Sequence, residues 1–366
     1  MMKINYGKRW SQIQSKLGDK DAFVSALPGN TRYLANSDSP PGSPPGSTMS
    51  YVVIPKSGDP IAITSSLEEH RCRHESSVKD IRAWTPYPDI KSEGKNALSV
   101  LKSTLSSINA KKISADTKIS LGRAHKLSLS SDINKLRAVK SEAELERIKM
   151  AVKQSDAGQA FAHNLVESGE GLSEKEVRAE IDYFMARRGI QENSFSTIVA
   201  SGPNAAHSHH SNTDRKLKMG DPVICDFGVF WNGYCSDITR TYFVGGSPSD
   251  EWRNIYQIVM EANQKSTEAL VEGATGHVVD KAGREFIRKK GFGSNFVHGT
   301  GHGFGLEIHE YPSVTYKSRV KIENSMAVTI EPGIYIPGKG GVRIEDDVLP
   351  NGDKPIVLTK AKKELY

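Results

Sequence analysis

Cysteine is scarce in this sequence. Only three of the 366 residues are cysteines, and no CxxC pair occurs among them. Thiols this few and this irregularly spaced exclude a disulfide framework and a paired-cysteine metal site. A reducing compartment therefore fits the presence of Cys72, Cys225 and Cys235.

Long hydrophobic runs are also missing. No stretch approaches the roughly 18 consecutive apolar residues of a membrane-spanning helix. The N-terminal segment MMKINYGKRWSQIQSKLGDK lacks the apolar region and small-residue cleavage site of a secretory signal. We therefore expect neither secretion nor a membrane span, and we predict a cytoplasmic location.

A strong charge excess is absent as well. The net charge of +6 comes from 49 basic and 43 acidic residues, without a long basic run broken by aromatic residues. This balance favours solubility and argues against a nucleic-acid partner. The hydrophobic and charged fractions, 37% and 25%, are ordinary for a folded protein.

The length predicts two domains, because a single core seldom grows to this size. In residues 1–130, short β-prone runs at 51–54 and 61–64 alternate with turns and helical stretches, which indicates a small mixed α/β domain. A Pro-Pro-Gly-Ser repeat at 39–47 predicts a surface loop, with a lid or a partner contact as the alternative.

Residues 131–366 show a different pattern, with longer predicted helices and strands. Capping-box spacings begin two helices, Ser141 with Glu144 and Ser173 with Glu176. Helices are predicted near 141–166, 173–189, 250–271 and 278–290, and strands at 223–230, 234–244, 326–330 and 341–349. Helices packed on a mostly antiparallel sheet make this domain α+β.

A hairpin brings two aspartates together. The Asn-Gly dipeptide at 232–233 predicts a two-residue turn, which places Asp237 opposite Gly228 and Asp226 opposite Thr239. Two carboxylates on one face, beside a residue without a side chain, repel each other unless a cation lies between them. A divalent metal is one interpretation, and a solvated hairpin face is the other.

Two further segments favour the metal. HGTGHGFGLEIHE at 298–310 places three histidines among glycines that let the backbone approach a ligand, and it matches no nucleotide-binding loop. VTIEPGIYIPGKGGVRIED contains Glu331 and Glu345, and Arg343 shares a strand face with Glu345. Four carboxylates and an imidazole suit Mn, Co, Fe or Zn.

These segments closely resemble the pita-bread-fold metallopeptidases, the family of Xaa-Pro dipeptidase (prolidase), Xaa-Pro aminopeptidase and methionine aminopeptidase. The resemblance implies a C-terminal pita-bread (creatinase/aminopeptidase) fold and a smaller N-terminal creatinase-like domain. The sequence PGNTRYLA resembles a short motif of that domain. The family's metal ligands match Asp226, Asp237, His302, Glu331 and Glu345.

The resemblance also assigns roles. It implies two divalent ions per subunit, manganese being one candidate, with Asp237 and Glu345 bridging both. Asp226 would bind one ion, His302 and Glu331 the other, and a shared water would be the nucleophile. Glu331 would take and return the proton. The family's accessory histidines match His209, His298 and His309, which would contact substrate and stabilise the intermediate.

The implied activity is hydrolysis of the Xaa-Pro bond at the N-terminus of short peptides. Xaa-Pro dipeptidase is preferred, and an Xaa-Pro aminopeptidase acting on longer peptides is the alternative. A lyase or a non-catalytic binding homologue on the same fold represents another class. Arg343 either binds the substrate carboxylate or forms a structural pair with Glu345 or Asp346. The family resemblance further implies a homodimer.

Overall fold

The computed structural model describes residues 1–36, 49–363 and 365. The predicted surface loop at 39–47 lies outside the described residues. The chain divides into two compact units, Met2–Arg137 and Ala138–Tyr366, the second of which includes Met1. No helix of the described residues is long and apolar enough to cross a membrane.

The N-terminal unit is built on a six-stranded mixed sheet with strand order β4-β3-β2-β1-β5-β6. The central pairs β1-β2 and β2-β3 are antiparallel, whereas the outer pairs are parallel. The elements in chain order are α1 (Tyr6–Ser15), β1 (Ala22–Ser25), α2 (Pro28–Ala35), β2 (Tyr51–Pro55), β3 (Ile61–Ser65), α3 (Glu69–Glu75), β4 (Asp80–Trp84), α4 (Ala97–Ser107), β5 (Lys112–Ala115), β6 (Lys126–Leu129) and α5 (Asp132–Ala138). The short runs predicted as strands are β2 and β3.

Helix α5 stays with the N-terminal unit. Ile133 is fully buried, and Arg137 Nη1 donates a 2.7 Å hydrogen bond to Asn30 Oδ1 in α2. The predicted boundary between residues 130 and 131 therefore falls before α5, whereas the two units divide at the end of this helix, between Arg137 and Ala138. Sequence spacing could not reveal this, because the Arg137 contact joins residues far apart in the chain.

The C-terminal unit contains the four predicted helices, α6 (Glu142–Glu167), α7 (Glu174–Arg187), α8 (Asp250–Glu268) and α9 (Gly276–Lys289). Both capping boxes form, since the side chains of Ser141 and Ser173 cap α6 and α7 reciprocally with Glu144 and Glu176. Gln159 of α6 reaches the hairpin, where its Nε2 donates to the carbonyl oxygens of two strand residues. Helix α6 is thereby fixed to the strands that carry the aspartates.

The strands of this unit pair antiparallel. They form several small sheets rather than one, with orders β11-β10-β7, β12-β9-β8, β14-β13-β15-β18-β19 and β16-β17. The strands are β7 (Glu192–Asn193), β8 (Ile198–Ser201), β9 (Pro222–Phe227), β10 (Val229–Trp231), β11 (Tyr234–Cys235), β12 (Ile238–Phe243), β13 (Gly301–Gly303), β14 (Glu310–Val314), β15 (Val328–Ile330), β16 (Gly333–Ile336), β17 (Gly340–Arg343), β18 (Asp346–Leu349) and β19 (Ile356–Val357).

Three predicted strands are interrupted. The run predicted at 223–230 breaks at Gly228, the run at 234–244 breaks before Ile238, and the run at 341–349 breaks before Asp346. Two of the breaks contain an acidic residue of the predicted site, Asp237 or Glu345, and the third lies two residues after Asp226. The α+β class is confirmed, but the sequence pattern did not reveal that the strands divide where the acids stand.

Candidate metal centre

The hairpin has the predicted register. Asp226 in β9 pairs with Thr239 in β12, and the turn dipeptide at 232–233 has the positive φ angles, 45° and 80°, of a tight hairpin turn. A Cβ built on Gly228 would lie 1.7 Å from the carbonyl oxygen of Ser236. Only glycine fits there, because the backbones of the two paired segments approach each other too closely for a side chain.

Three of the five predicted ligands converge tightly. Asp237, His302 and Glu345 each offer one ligand atom, and these atoms all lie within 4.8 Å of one another. Asp237 and Glu345 immediately precede β12 and β18, while His302 lies within β13. The two carboxylates are buried, with exposures of 5% and 2%.

The other two predicted ligands border the same space. Glu331 directly follows β15, and its Oε1 lies 3.4 Å from His302 Nε2. Asp226 Oδ1 is buried without a hydrogen-bond partner among the described residues. All five predicted ligands line one cavity of about 670 Å³. An orphaned carboxylate oxygen facing other acids fits a bound cation better than any partner from the chain.

His302 is held in the form that binds metal. Its Nδ1 lies 3.1 Å from the carbonyl oxygen of Gly303, and because a carbonyl only accepts, Nδ1 carries the proton. The lone pair therefore resides on Nε2, which lies 3.6 Å from Asp237 Oδ2 and 3.4 Å from Glu331 Oε1. Burial lowers the pKa of His302 to about 4, which keeps the ring neutral.

The acids are crowded and poorly solvated. Burial raises the pKa of Asp237 well above its usual value, and Glu345 and Asp226 raise it further. Burial also raises the pKa of Glu345 well above its usual value, with additional repulsion from Glu331 and Asp226. The pKa of Glu331 is raised to about 7, again mainly by burial. A divalent cation removes this repulsion, so the donor set and its electrostatics fit metal binding.

Comparisons with known proteins agree with this geometry. The model of metallopeptidase family M24 matches residues 146–350. The chain belongs to family M24. Membership implies the use of divalent metal.

Named relatives fall in the prolidase branch. The M24 chain is 42% identical over 233 residues to the Xaa-Pro dipeptidase of Pyrococcus furiosus. The alignment covers 64% of this chain and 66% of the relative. An uncharacterized peptidase of Bacillus subtilis is 41% identical over 242 residues, covering 66% of this chain and 68% of the relative. The alignments thus span about two thirds of these relatives.

Solved structures match over nearly the whole length. The Xaa-Pro dipeptidase of Bacillus anthracis has a TM-score of 0.87 at 32% identity, covering 99% of both chains. The X-Pro aminopeptidase of Thermotoga maritima has a TM-score of 0.85 at 29% identity, also covering 99% of both chains. The predicted family and its fold are confirmed.

Arg343 of this M24 protein has an unexpected partner. Its Nη2 donates to Asp226 Oδ2 at 2.6 Å, whereas the alternatives predicted from the sequence were the substrate carboxylate or a structural pair with Glu345 or Asp346. Its Nε donates to Thr239 Oγ1 at 3.0 Å, and that hydroxyl donates to Glu345 Oε2 at 2.7 Å. The link to Glu345 is therefore indirect, because register places Thr239 between them.

The predicted accessory histidines border the cluster of predicted metal ligands. His298, His209 and His309 line the cavity, and the His309 ring centroid lies 4.3 Å from that of His302. His298 Nδ1 lies 2.7 Å from the carbonyl oxygen of Gly299, so its Nε2 accepts from the Tyr335 hydroxyl at 2.8 Å. Burial, followed by the nearby Arg343, lowers the pKa of His298 to about 4.

The other histidines of this segment are placed differently. His210 also lines the cavity, yet its Nε2 lies 2.8 Å from Glu174 Oε2, in a pair with that buried carboxylate. His207 is exposed. Neither histidine is among the site residues predicted from the sequence.

Sequence reasoning missed several residues that support the site. Tyr335 donates to His298 and also accepts from Arg343 Nη1 at 2.9 Å. Asp347 Oδ2 accepts the backbone N–H of Asp237 at 3.1 Å. Alternation along a strand could have flagged Asp347, two residues after Glu345. Tyr335 carried no such signal, because its partners come from other strands and loops.

Proposed function

We propose that this M24 protein is a metal-dependent Xaa-Pro dipeptidase that uses two divalent ions. The observation that carries the proposal is the complete set of five ligand-type side chains around one cavity of about 670 Å³. That volume lies in the range of small-molecule sites. Relatives named Xaa-Pro dipeptidase, one of them similar over 99% of its chain, support the substrate class.

The ligand roles follow the family resemblance. Asp226, Asp237, His302, Glu331 and Glu345 would hold the ions. When bound, the ions supply Lewis acidity that lowers the pKa of water and polarises the scissile carbonyl. Manganese as the ion, a cytoplasmic location and a homodimer stay predictions.

The remaining chemistry belongs to side chains. By the family resemblance, Glu331 would take a proton from the attacking water and return it to the leaving proline nitrogen. His298, His209 and His309 line the cavity where the tetrahedral oxyanion would be stabilised. The Xaa-Pro bond is a tertiary amide, and its proline nitrogen carries no hydrogen. A site that cleaves it must therefore bind the substrate without a hydrogen bond from this nitrogen.

An Xaa-Pro aminopeptidase is the second candidate. The structural match to the X-Pro aminopeptidase of Thermotoga maritima is nearly as good as that to the Bacillus anthracis dipeptidase, with TM-scores of 0.85 and 0.87. The two activities share the metal chemistry. They differ in whether the site accepts a chain that continues beyond proline.

The test compares a dipeptide with a tripeptide. Protein stripped of metal and reloaded with Mn, Co, Zn or Fe is assayed on Ala-Pro and Ala-Pro-Ala, with metal counted in each preparation. Metal-dependent release of proline from Ala-Pro alone supports the proposal, and preference for Ala-Pro-Ala favours the aminopeptidase. Glu331→Gln should be inactive, whereas Glu323→Gln, at an exposed position, should match the wild type. Failure to cleave either peptide would overturn the proposal.

A further inference from the structure

The catalytic cavity contains few permanent positive charges. Among its described lining residues, only Arg178 and Arg343 carry one. Arg343 is 3% exposed, and each of its three side-chain nitrogens already donates a hydrogen bond within the chain. Arg178 is therefore the lining cation that can meet a negatively charged ligand.

Arg178 has a fixed position on α7. Its Nε donates to Asp182 Oδ2 at 3.1 Å, one helical turn along. The other oxygen of Asp182 accepts from Asn193 Nδ2 at 2.8 Å and from Thr197 Oγ1 at 2.5 Å. Thr197 is buried and lines the cavity beside Phe195. Asp182 thus ties the guanidinium to the cavity wall.

The terminal nitrogens of Arg178 remain available. Neither Nη1 nor Nη2 has a hydrogen-bond partner among the described residues, and the side chain is 41% exposed. Two coplanar N–H groups match the two oxygens of a carboxylate in a bidentate pair. Anchoring through Nε reduces the rotamer freedom lost when such a pair forms.

The proposed substrates require such a group. An Xaa-Pro dipeptide ends in a carboxylate, and some carry a second one on the first side chain. The four carboxylates that line the cavity would balance the charge of the two proposed ions, so an incoming carboxylate needs a further cation to pair with. We propose that Arg178 binds a carboxylate of the substrate, an inference that rests on the proposed dipeptidase function. The carboxylate comes from the C-terminus or from an acidic residue before proline.

Four dipeptides distinguish the two sources. Wild type, Arg178→Gln and Arg178→Lys, each loaded with metal, are assayed on Ala-Pro, Ala-Pro amide, Glu-Pro and Gln-Pro. Arg187→Gln is the matched control, because Arg187 lies exposed on the same helix and is not among the described lining residues. Asp182 keeps its bonds to Asn193 and Thr197 in the variants, so the wall should stay folded; circular dichroism and metal content check this.

The expected result is a change in KM with little change in kcat. If the C-terminal carboxylate is bound, Arg178→Gln raises KM roughly 10- to 100-fold for all three free dipeptides and leaves Ala-Pro amide unaffected. If an acidic side chain is bound, only Glu-Pro loses affinity and Gln-Pro does not. Arg178→Lys should restore part of the loss.

Other outcomes overturn the inference. Equal kinetics of Arg178→Gln and wild type on every substrate, or an equal loss on the amide and the acid, would mean that Arg178 does not recognise a carboxylate. Wild-type protein that cleaves none of the four substrates would overturn the proposed function itself. The two failures are therefore distinguishable by the wild-type activity.

Discussion

Glu345 and Asp346 are neighbours in the chain, and both are buried, yet their surroundings are opposite. Burial and the acids around it raise the pKa of Glu345 well above its usual value. Burial opposes ionisation of Asp346 too, but Arg240 and Lys363 outweigh it and lower the pKa of Asp346 to about 2. The side chains of successive residues in an extended segment point to opposite sides, so the two acids lie in different surroundings.

The cluster around Asp346 is complete within the chain. Its oxygens accept from Arg240 Nη2 at 2.9 Å, Thr359 Oγ1 at 2.7 Å and Lys363 Nζ at 2.6 Å. Within the described part of the chain, the cation nearest Glu345 is Arg343, which reaches it through Thr239 and is itself bound to Asp226. A buried acid with its own cation is structural, whereas a buried group of acids without enough cations requires one from solution.

Removing the Glu345 charge should have the largest effect on function. Glu345→Gln is expected to lower kcat/KM by more than about 100-fold. Losing a residue that only supports a metal ligand costs about 10- to 100-fold, and losing the ligand itself should cost more. Without metal, the free energy of unfolding of the variant should equal or exceed that of the wild type, because one repelling charge is gone. Metal titration with denaturant unfolding measures both effects, and full activity at normal metal affinity would contradict the comparison.

The opposite pattern is expected on the structural side. Asp346→Asn should lower the free energy of unfolding by about 3 to 5 kcal/mol, because it leaves the fully buried Arg240 without its carboxylate. Metal bound per folded molecule should not change. Urea unfolding of metal-loaded protein tests this, and a cost below about 1 kcal/mol would show that Asp346 is not the main partner of Arg240.

The two clusters should respond to pH in opposite directions in metal-free protein. Asp346 has a folded pKa of about 2 against an ordinary 3.8, so its stabilisation exists above pH 3.8 and is lost as pH falls towards 2. Glu331 has a folded pKa of about 7 against 4.5, so its stabilisation exists below pH 4.5 and is lost as pH rises through 7. Each change is on the order of 2 to 3 kcal/mol.

Unfolding curves across this pH range distinguish the two contributions. Asp346→Asn should reduce the loss on the acid side, where Glu174, with a pKa of about 2, also contributes. Glu331→Gln should reduce the loss between pH 4.5 and 7, to which Asp237 and Glu345 also contribute because their pKa values are raised. Identical pH profiles for wild type and both variants would contradict the assignment. Adding metal at pH 8 should restore stability to the wild type, by about 2.7 kcal/mol at a metal concentration of 100 times Kd.

A pair of threonines gives the smallest test. Thr239→Val removes the hydroxyl that donates to Glu345 and accepts from Arg343 Nε. Metal affinity should fall by about 10- to 100-fold, and the free energy of unfolding should fall by about 1 to 3 kcal/mol. Thr359→Val removes the corresponding bond to Asp346 and should cost about 1 kcal/mol of stability without changing metal affinity. Calorimetric metal titration and thermal unfolding of both variants measure the two effects. A loss of metal affinity in Thr359→Val but not in Thr239→Val would refute the comparison.

Local patterns predicted much of this molecule. The capping boxes at Ser141 and Ser173 located two helices, and the turn at 232–233 gave the register that places Asp226 opposite Thr239. These features depend on residues close in sequence. The family and the α+β fold followed from motifs that also lie within short segments.

Long-range partners could not be predicted. The bond from Arg343 to Asp226 joins residues 117 positions apart, and the sequence offered Glu345 and Asp346 as nearer candidates. Arg178 also carried no signal, because its importance comes from a cavity formed by several segments. The breaks at 236–237 and 344–345 escaped notice because each is only two residues long and has β-prone residues on both sides.

Gly228 has a consequence for mutational tolerance. It bears no functional group, yet the space for a Cβ is filled by the carbonyl oxygen of Ser236. In a saturation-mutagenesis screen for activity, every replacement at this codon should therefore be depleted as strongly as replacements of Asp226 or Asp237. A map of intolerant positions would thus count Gly228 among the reactive residues, although its contribution is only the room it leaves.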